Sequence, residues 1–216
     1  MINIIYEDNH LLVVKKPVNV PVQGDSSQDL DFLSMLKQFI KKRDNKPGNV
    51  YLGLVHRLDR PVGGIMVFAK TSKCAARISK QVQDHSFKKV YFAVVMNKLT
   101  EKNDTWIDYL LKDEKTNIVK IDKKGKKAIL DYELIAYKEN MSLVKINLQT
   151  GRSHQIRVQF SSRGFPLYGD HKYNQNVIKN SNIALFATSI SFYHPISKEY
   201  LTFSLNLPNY YPWNIF

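Results

Sequence analysis

Short apolar runs, each about one strand long and each closed by turn-forming residues, set the tightest limit on how this chain folds. Ile2 to Tyr6, Leu11 to Lys15, Gly64 to Lys70 and Lys88 to Met96 are such runs. A membrane span takes about 18 to 20 apolar residues in a row, and none of these approaches that. Their length and near-continuous apolar character read as strands. Ala128 to Tyr137, Ser142 to Gln149, Ile183 to Tyr193 and Glu199 to Leu205 add further strand candidates. Helical spacing appears in Phe32, Leu33, Leu36, Phe39 and Ile40 behind a Ser-Ser-Gln-Asp start, which predicts an amphipathic helix over Asp29 to Lys42. Ser72 to Asp84 predicts a second helix, and Ser153 to Arg163, ended by Gly164, a short third. Strands dominate and helices do not alternate with them regularly. The pattern therefore predicts an α+β fold built on a mixed sheet rather than a doubly wound parallel one.

The chain has 216 residues, 44% of them hydrophobic, which suits one core and excludes a disordered tail or a disulfide-stapled miniprotein. Its single cysteine, Cys74, has no internal disulfide partner and sits in Ala-Ala helical surroundings, where it reads as a packed small side chain. The start lacks the charged, apolar, then small pattern of a secretory leader, so a cytoplasmic location is expected. Lys and Arg total 32 against 19 acids, a formal charge of +13. Such an excess attracts phosphate polymers, and nucleic acid is the first partner to consider. Lys112 to Lys127 holds seven lysines and three acids around an expected hairpin turn at Lys124-Gly125-Lys126. Contact with RNA backbone and a solvated surface hairpin both fit that composition.

Two polar clusters interrupt apolar surroundings. His56-Arg57-Leu58-Asp59-Arg60-Pro61-Val62-Gly63-Gly64 describes a tight loop that presents a carboxylate among cations. A flanking arginine keeps such a carboxylate ionised at neutral pH. From composition alone the loop is either a structural salt-bridge loop or the seat of a catalytic carboxylate. Gly151-Arg152-Ser153-His154-Gln155-Ile156-Arg157 leads into the short helix and reads either as a phosphate seat or as an ordinary basic helix start.

Taken together, the clusters resemble the motifs of the RluA-type family of pseudouridine synthases, which isomerise uridine within RNA. The resemblance runs from Ile5-Tyr6-Glu7-Asp8 and Leu11 to Pro17, through His56-Arg57-Leu58-Asp59-Arg60 and Gly64 to Lys70, to Lys89-Val90-Tyr91-Phe92-Ala93-Val94-Val95. It closes with Gly151 to Val158 and Pro166-Leu167-Tyr168-Gly169-Asp170. Four such matches in order and spacing are far more specific than any one. The resemblance implies that Asp59 is the essential aspartate, Tyr91 the tyrosine stacked on the target base and Arg157 the basic partner of the aspartate. It further implies that Arg57 helps extrude the uridine, with Arg60, Arg152, His154 and Gln155 as further RNA contacts. Where relatives often carry Thr-Ser after the aspartate loop, this chain has Val62-Gly63. The implied architecture is a single catalytic domain over 1–216, a long mixed, mainly antiparallel sheet with flanking helices and a central basic cleft. No separate N-terminal RNA-binding module is expected, and the chain is expected to be a monomer.

The implied reaction detaches uracil from ribose, turns it and reattaches it through carbon 5. Nothing is oxidised and no group is transferred to another molecule, so neither cofactor nor metal is expected, and the six histidines are scattered. Asp59 would attack as a nucleophile or take the ribose 2′ proton; the sequence leaves both open. A uridine in a helix or folded loop must first be flipped out, at a cost of a few kcal/mol. Ribosomal and transfer RNA are both open as substrates. Two other classes stand beside this one: a basic RNA-binding or ribosome-assembly protein without turnover, and a metal-dependent nuclease, for which clustered acids are not found.

Overall fold

The computed structural model describes residues 2–24 and 28–216, so Ser26 and Ser27 of the expected helix start lie outside the described residues. In chain order the elements are β1 (Asn3–Glu7), β2 (Leu11–Lys16), α1 (Phe32–Arg43), the two-residue β3 (Gly53–Leu54), β4 (Gly63–Ala69), α2 (Ser72–Gln83) and β5 (Lys88–Met96). There follow β6 (Asn103–Asp113), β7 (Ile118–Ile121), β8 (Lys126–Lys138), β9 (Met141–Leu148), α3 (Gln155–Ser161), β10 (Leu185–Tyr193) and β11 (Tyr200–Ser204), with a 3₁₀ turn at Trp213–Ile215. The fold is α+β, as the strand-rich pattern predicted. The chain divides into two compact units, Met1–Lys88 with Ser189–Leu205, and Lys89–Thr188 with Asn206–Phe216.

In the first unit β2 pairs antiparallel with both β1 and β4, and β3 adds to β4. Leu11, Leu12, Val13 and Val14 are all fully buried, as is every residue of β4. Strands covered on both faces lose the period-2 alternation and read as unbroken apolar runs. Helix α1 is capped by Asp31, whose carboxylate accepts from the Ser34 backbone N–H (2.9 Å) and hydroxyl (2.7 Å). Its last turn holds Lys41, Lys42 and Arg43, which suits the helix dipole. Phe32, Leu36 and Ile40, four residues apart, are its buried face. Helix α2 is capped by Thr71 and buries Cys74 and Ile78, so the lone cysteine is a packing residue.

In the second unit the strands run in the order β5-β9-β8-β6-β7, with antiparallel neighbours. Trp106, Tyr132 and Phe160 pack ring to ring, Trp106 lying 4.6 Å by centroid from each of the other two. This aromatic group seats α3, whose Ile156, Val158 and Phe160 are buried.

The lysine-rich segment differs from the expected hairpin. Leu110 of β6 faces Ile121 of β7 on one side and Lys126 of β8 on the other. The turn at Asp122 to Gly125 therefore carries the chain across β6 rather than joining two paired strands, and the true hairpin turn lies between β6 and β7. Gly125 makes the crossing against the Leu110 backbone: a Cβ at 125 would lie 2.3 Å from the Leu110 carbonyl carbon. Only glycine passes there without displacing β6. The third helix is also shorter than expected. It starts at Gln155 because His154 adopts a left-handed conformation (φ 51°) that no helix continues through.

Candidate active site

The first unit contributes the aspartate loop. Asp59 is half-buried, and its carbonyl accepts the Val62 N–H (3.0 Å), closing a turn through Arg60 and Pro61. Beneath the turn lies Lys16, the last residue of β2, with none of its surface exposed. Its ammonium donates to the carbonyls of Pro17 (2.9 Å), Arg60 (3.1 Å) and Val62 (2.8 Å). Two of these three acceptors belong to the Asp59 turn. Across the ladder Lys16 faces Gly64, whose φ of 130° favours a residue without a side chain. Desolvation lowers the Lys16 pKa to about 7; the Asp59 carboxylate opposes that shift and the Arg60 charge adds to it. A buried lysine thus pins the turn, and the Asp59 charge favours its protonated form.

The flanking residues divide by role. Arg57 is exposed and makes no hydrogen bond or ion pair among the described residues. Arg60 pairs with Asp29. His56 Nε2 accepts the Val67 backbone N–H (3.1 Å), and its ring lies 5.3 Å from Phe87. That bond fixes the proton on Nδ1 and makes His56 a brace on β4 just beyond the short strand β3.

The second unit contributes Tyr91 and the Gly151 to Arg157 segment. Tyr91, at mid-β5 opposite Ile146, is 6% exposed. Arg157 on α3 is gripped by Asp170, with Nε to Oδ2 at 2.8 Å and Nη2 to Oδ1 at 2.7 Å, and both side chains are buried. This is a bidentate guanidinium–carboxylate pair, which fixes orientation as well as charge. The Arg157 guanidinium also lies over the Tyr173 ring, 5.1 Å from its centroid. The Tyr173 hydroxyl contacts His154 Nδ1 (2.7 Å) and accepts the Val119 N–H (2.9 Å). Gln155 is 2% exposed, and its amide is committed within the chain: Oε1 accepts from the Thr150 hydroxyl (2.8 Å) and the Arg152 N–H (3.0 Å), while Nε2 donates to the Ile129 carbonyl (3.0 Å). Arg152 is exposed, its Nε donating to the Lys127 carbonyl (2.8 Å). Lys89, two residues before Tyr91, is half-buried, and desolvation together with the Arg152 charge lowers its pKa to about 8.

With this geometry in hand, comparison with known proteins is decisive: residues 10–162 match the family model described as RNA pseudouridylate synthase. The chain belongs to that family. It is 32% identical to the ribosomal large subunit pseudouridine synthase D of Zymomonas mobilis, over 96% of this chain and 69% of that protein. It is 31% identical to the synthase C of Vibrio parahaemolyticus, over 95% and 65%, and 34% identical to an uncharacterized RNA pseudouridine synthase of Aquifex aeolicus, over 96% and 70%. The chain thus spans about two thirds of the length of these curated relatives. In fold it resembles human RNA pseudouridylate synthase domain containing 4, with a TM-score of 0.80 at 21% identity over 95% of this chain and 88% of that one.

Within this pseudouridylate synthase framework, two residues near the predicted site carry roles that the motifs did not reveal. A lysine that follows an apolar run, as Lys16 does, looks like a strand end, and only tertiary structure shows it turned inward. Asp170 closes the Pro166 to Asp170 motif with no role implied for it, and in the structure its carboxylate holds Arg157. Its signal was a lone acid closing the apolar Pro166 to Gly169 segment.

Proposed function

We propose that this chain isomerises uridine to pseudouridine in RNA after base flipping, with Asp59, Tyr91 and Arg157 as its catalytic residues. The observation that carries the reading is the buried Lys16 ammonium, bonded to two carbonyls of the turn that bears Asp59 and influenced by its charge. A cation is costly to bury and survives where it fixes something that must not move. Here that something is a carboxylate loop, and the reaction needs an ionised carboxylate held against ribose. Asp59 serves as nucleophile or as 2′ base, and Tyr91 supplies a flat ring for the extruded uracil. Arg157, oriented by Asp170, offsets the repulsion between Asp59 and RNA phosphates. Arg57 fills the space the base vacates, and Arg60 and Arg152 meet the RNA backbone. The internal bonds of Gln155 and His154 make them braces of the Arg152 and Arg157 segment rather than RNA contacts. The names of the bacterial relatives favour large-subunit ribosomal RNA as the substrate, and a cytoplasmic location accords with that reading.

The deciding experiment incubates the protein with unmodified ribosomal and transfer RNA transcripts and maps pseudouridine by chemical labelling, beside Asp59→Ala. Labelling by the native chain that the variant abolishes supports the reading. No labelling by either would transfer the chain to the non-catalytic RNA-binding class.

A further inference from the structure

We infer that Lys89, Gly151 and Arg152 form a seat for one phosphate of the RNA strand, beside the base platform of Tyr91. The inference rests on the isomerase reading above and extends it to a residue outside the proposed catalytic set. Lys89 and Tyr91 lie two positions apart on β5, hence on the same face and about 7 Å apart along the strand. An anion held by Lys89 is therefore within a nucleotide's reach of a base stacked on Tyr91.

Three features of this corner point to an anion. Lys89 is half-buried, yet among the described residues its ammonium has no hydrogen-bond or ion-pair partner. Its neighbour is another cation: Arg152 has one nitrogen on the Lys127 carbonyl and the rest of its guanidinium uncommitted among the described residues. Gly151 completes the corner, since a Cβ there would lie 3.1 Å from Lys89 Nζ and crowd the ammonium. Burial of Lys89 penalises its charge, and the nearby Arg152 charge adds to that penalty. That penalty is recovered when a shared anion arrives, because a phosphate accepts from both an ammonium and a guanidinium. The arrangement suits a phosphodiester better than a base edge, as neither side chain presents an acceptor.

The test measures binding of a fluorescein-labelled single-stranded oligouridylate to the Asp59→Ala chain, which cannot turn over, across a series of salt concentrations. Adding Lys89→Gln should weaken binding about tenfold at low salt, the loss of one charge-assisted contact. It should also reduce the slope of log affinity against log salt by about 0.7, one phosphate contact on a single strand. Lys89→Arg keeps the charge and should keep the slope, which separates loss of the contact from loss of folding. A slope and affinity unchanged by Lys89→Gln overturn the seat. A second arm replaces chloride with inorganic phosphate at matched ionic strength: a Lys89-dependent rise in Tm with an RNA slope that Lys89→Gln leaves alone assigns the corner to a free anion and equally overturns it. These outcomes are independent of pseudouridine labelling by the native chain, so the seat and the isomerase reading fail separately.

Discussion

Replacing Lys16 with methionine tests whether burial governs the charge beneath the Asp59 turn. In the unfolded chain a lysine titrates near its ordinary value of 10.5, while in the folded chain Lys16 titrates near 7. Between those values the unfolded state binds more protons than the folded state, so stability must rise with pH. The cost of burying the ammonium is present in full below pH 7 and is relieved as pH climbs towards the unfolded value. Methionine fills a similar volume and removes the titration, while the other titrating groups stay in both chains and largely cancel in the difference. At pH 7 the substitution should destabilise by about 1–3 kcal/mol, because the carbonyls of Arg60 and Val62 lose a buried donor. The deficit should then widen by about 2 kcal/mol between pH 7 and pH 9, the wild-type lysine gaining roughly 1.4 kcal/mol per pH unit once above its folded pKa. Urea unfolding of both chains at the two pH values measures this directly. A difference that stays flat with pH would show that three carbonyl oxygens and the Asp59 charge solvate the ammonium as well as water does, and the argument from burial would be refuted.

Asp170→Asn leaves the buried Arg157 guanidinium without its carboxylate and should cost about 3 kcal/mol in urea unfolding along with most turnover; a loss below about 0.5 kcal/mol, within the range of an ordinary surface change, would show that the pair does not matter. Arg157→Lys keeps a charge but cannot form two parallel bonds to Asp170, so pseudouridine formation should fall while the chain stays folded by circular dichroism. Gly125→Ala sets a Cβ against the Leu110 backbone and should destabilise by about 1–3 kcal/mol through forced movement of β6; unchanged unfolding would mean that the crossing is loose.

The fully buried strands were legible because burial on both faces writes itself as an apolar run, as in Leu11 to Val14 and Gly63 to Ala69. Strand β6 was not foreseen. Its two faces differ too little: Trp106 and Leu110 are buried, but Ile107 and Tyr109 on the opposite face are exposed and apolar as well, and Asp108 interrupts the buried side. The alternation that marks a half-buried strand is blurred there. The chain crossing at Gly125 was hidden for a different reason. Lys-Gly-Lys is a sound local turn signal, but whether a turn joins paired strands or carries the chain over a third depends on residues far away in sequence.

At the candidate site, the motifs supplied the residues while the structure supplied the division of labour among the cations. Arg157 faces the buried Asp170, and Arg60 faces Asp29. A carboxylate partner fixes the orientation of each guanidinium as well as satisfying its donors. Lys16 is instead surrounded by carbonyls and Lys89 by another cation, and desolvation depresses both pKa values. Burial makes the charged form of each lysine costly, and a nearby anion favours it again. Sequence shows the excess of 32 basic over 19 acidic residues but not which charges are internally cancelled. That distinction follows from which carboxylates the fold buries beside them, as Asp170 beside Arg157, and the sequence does not carry it.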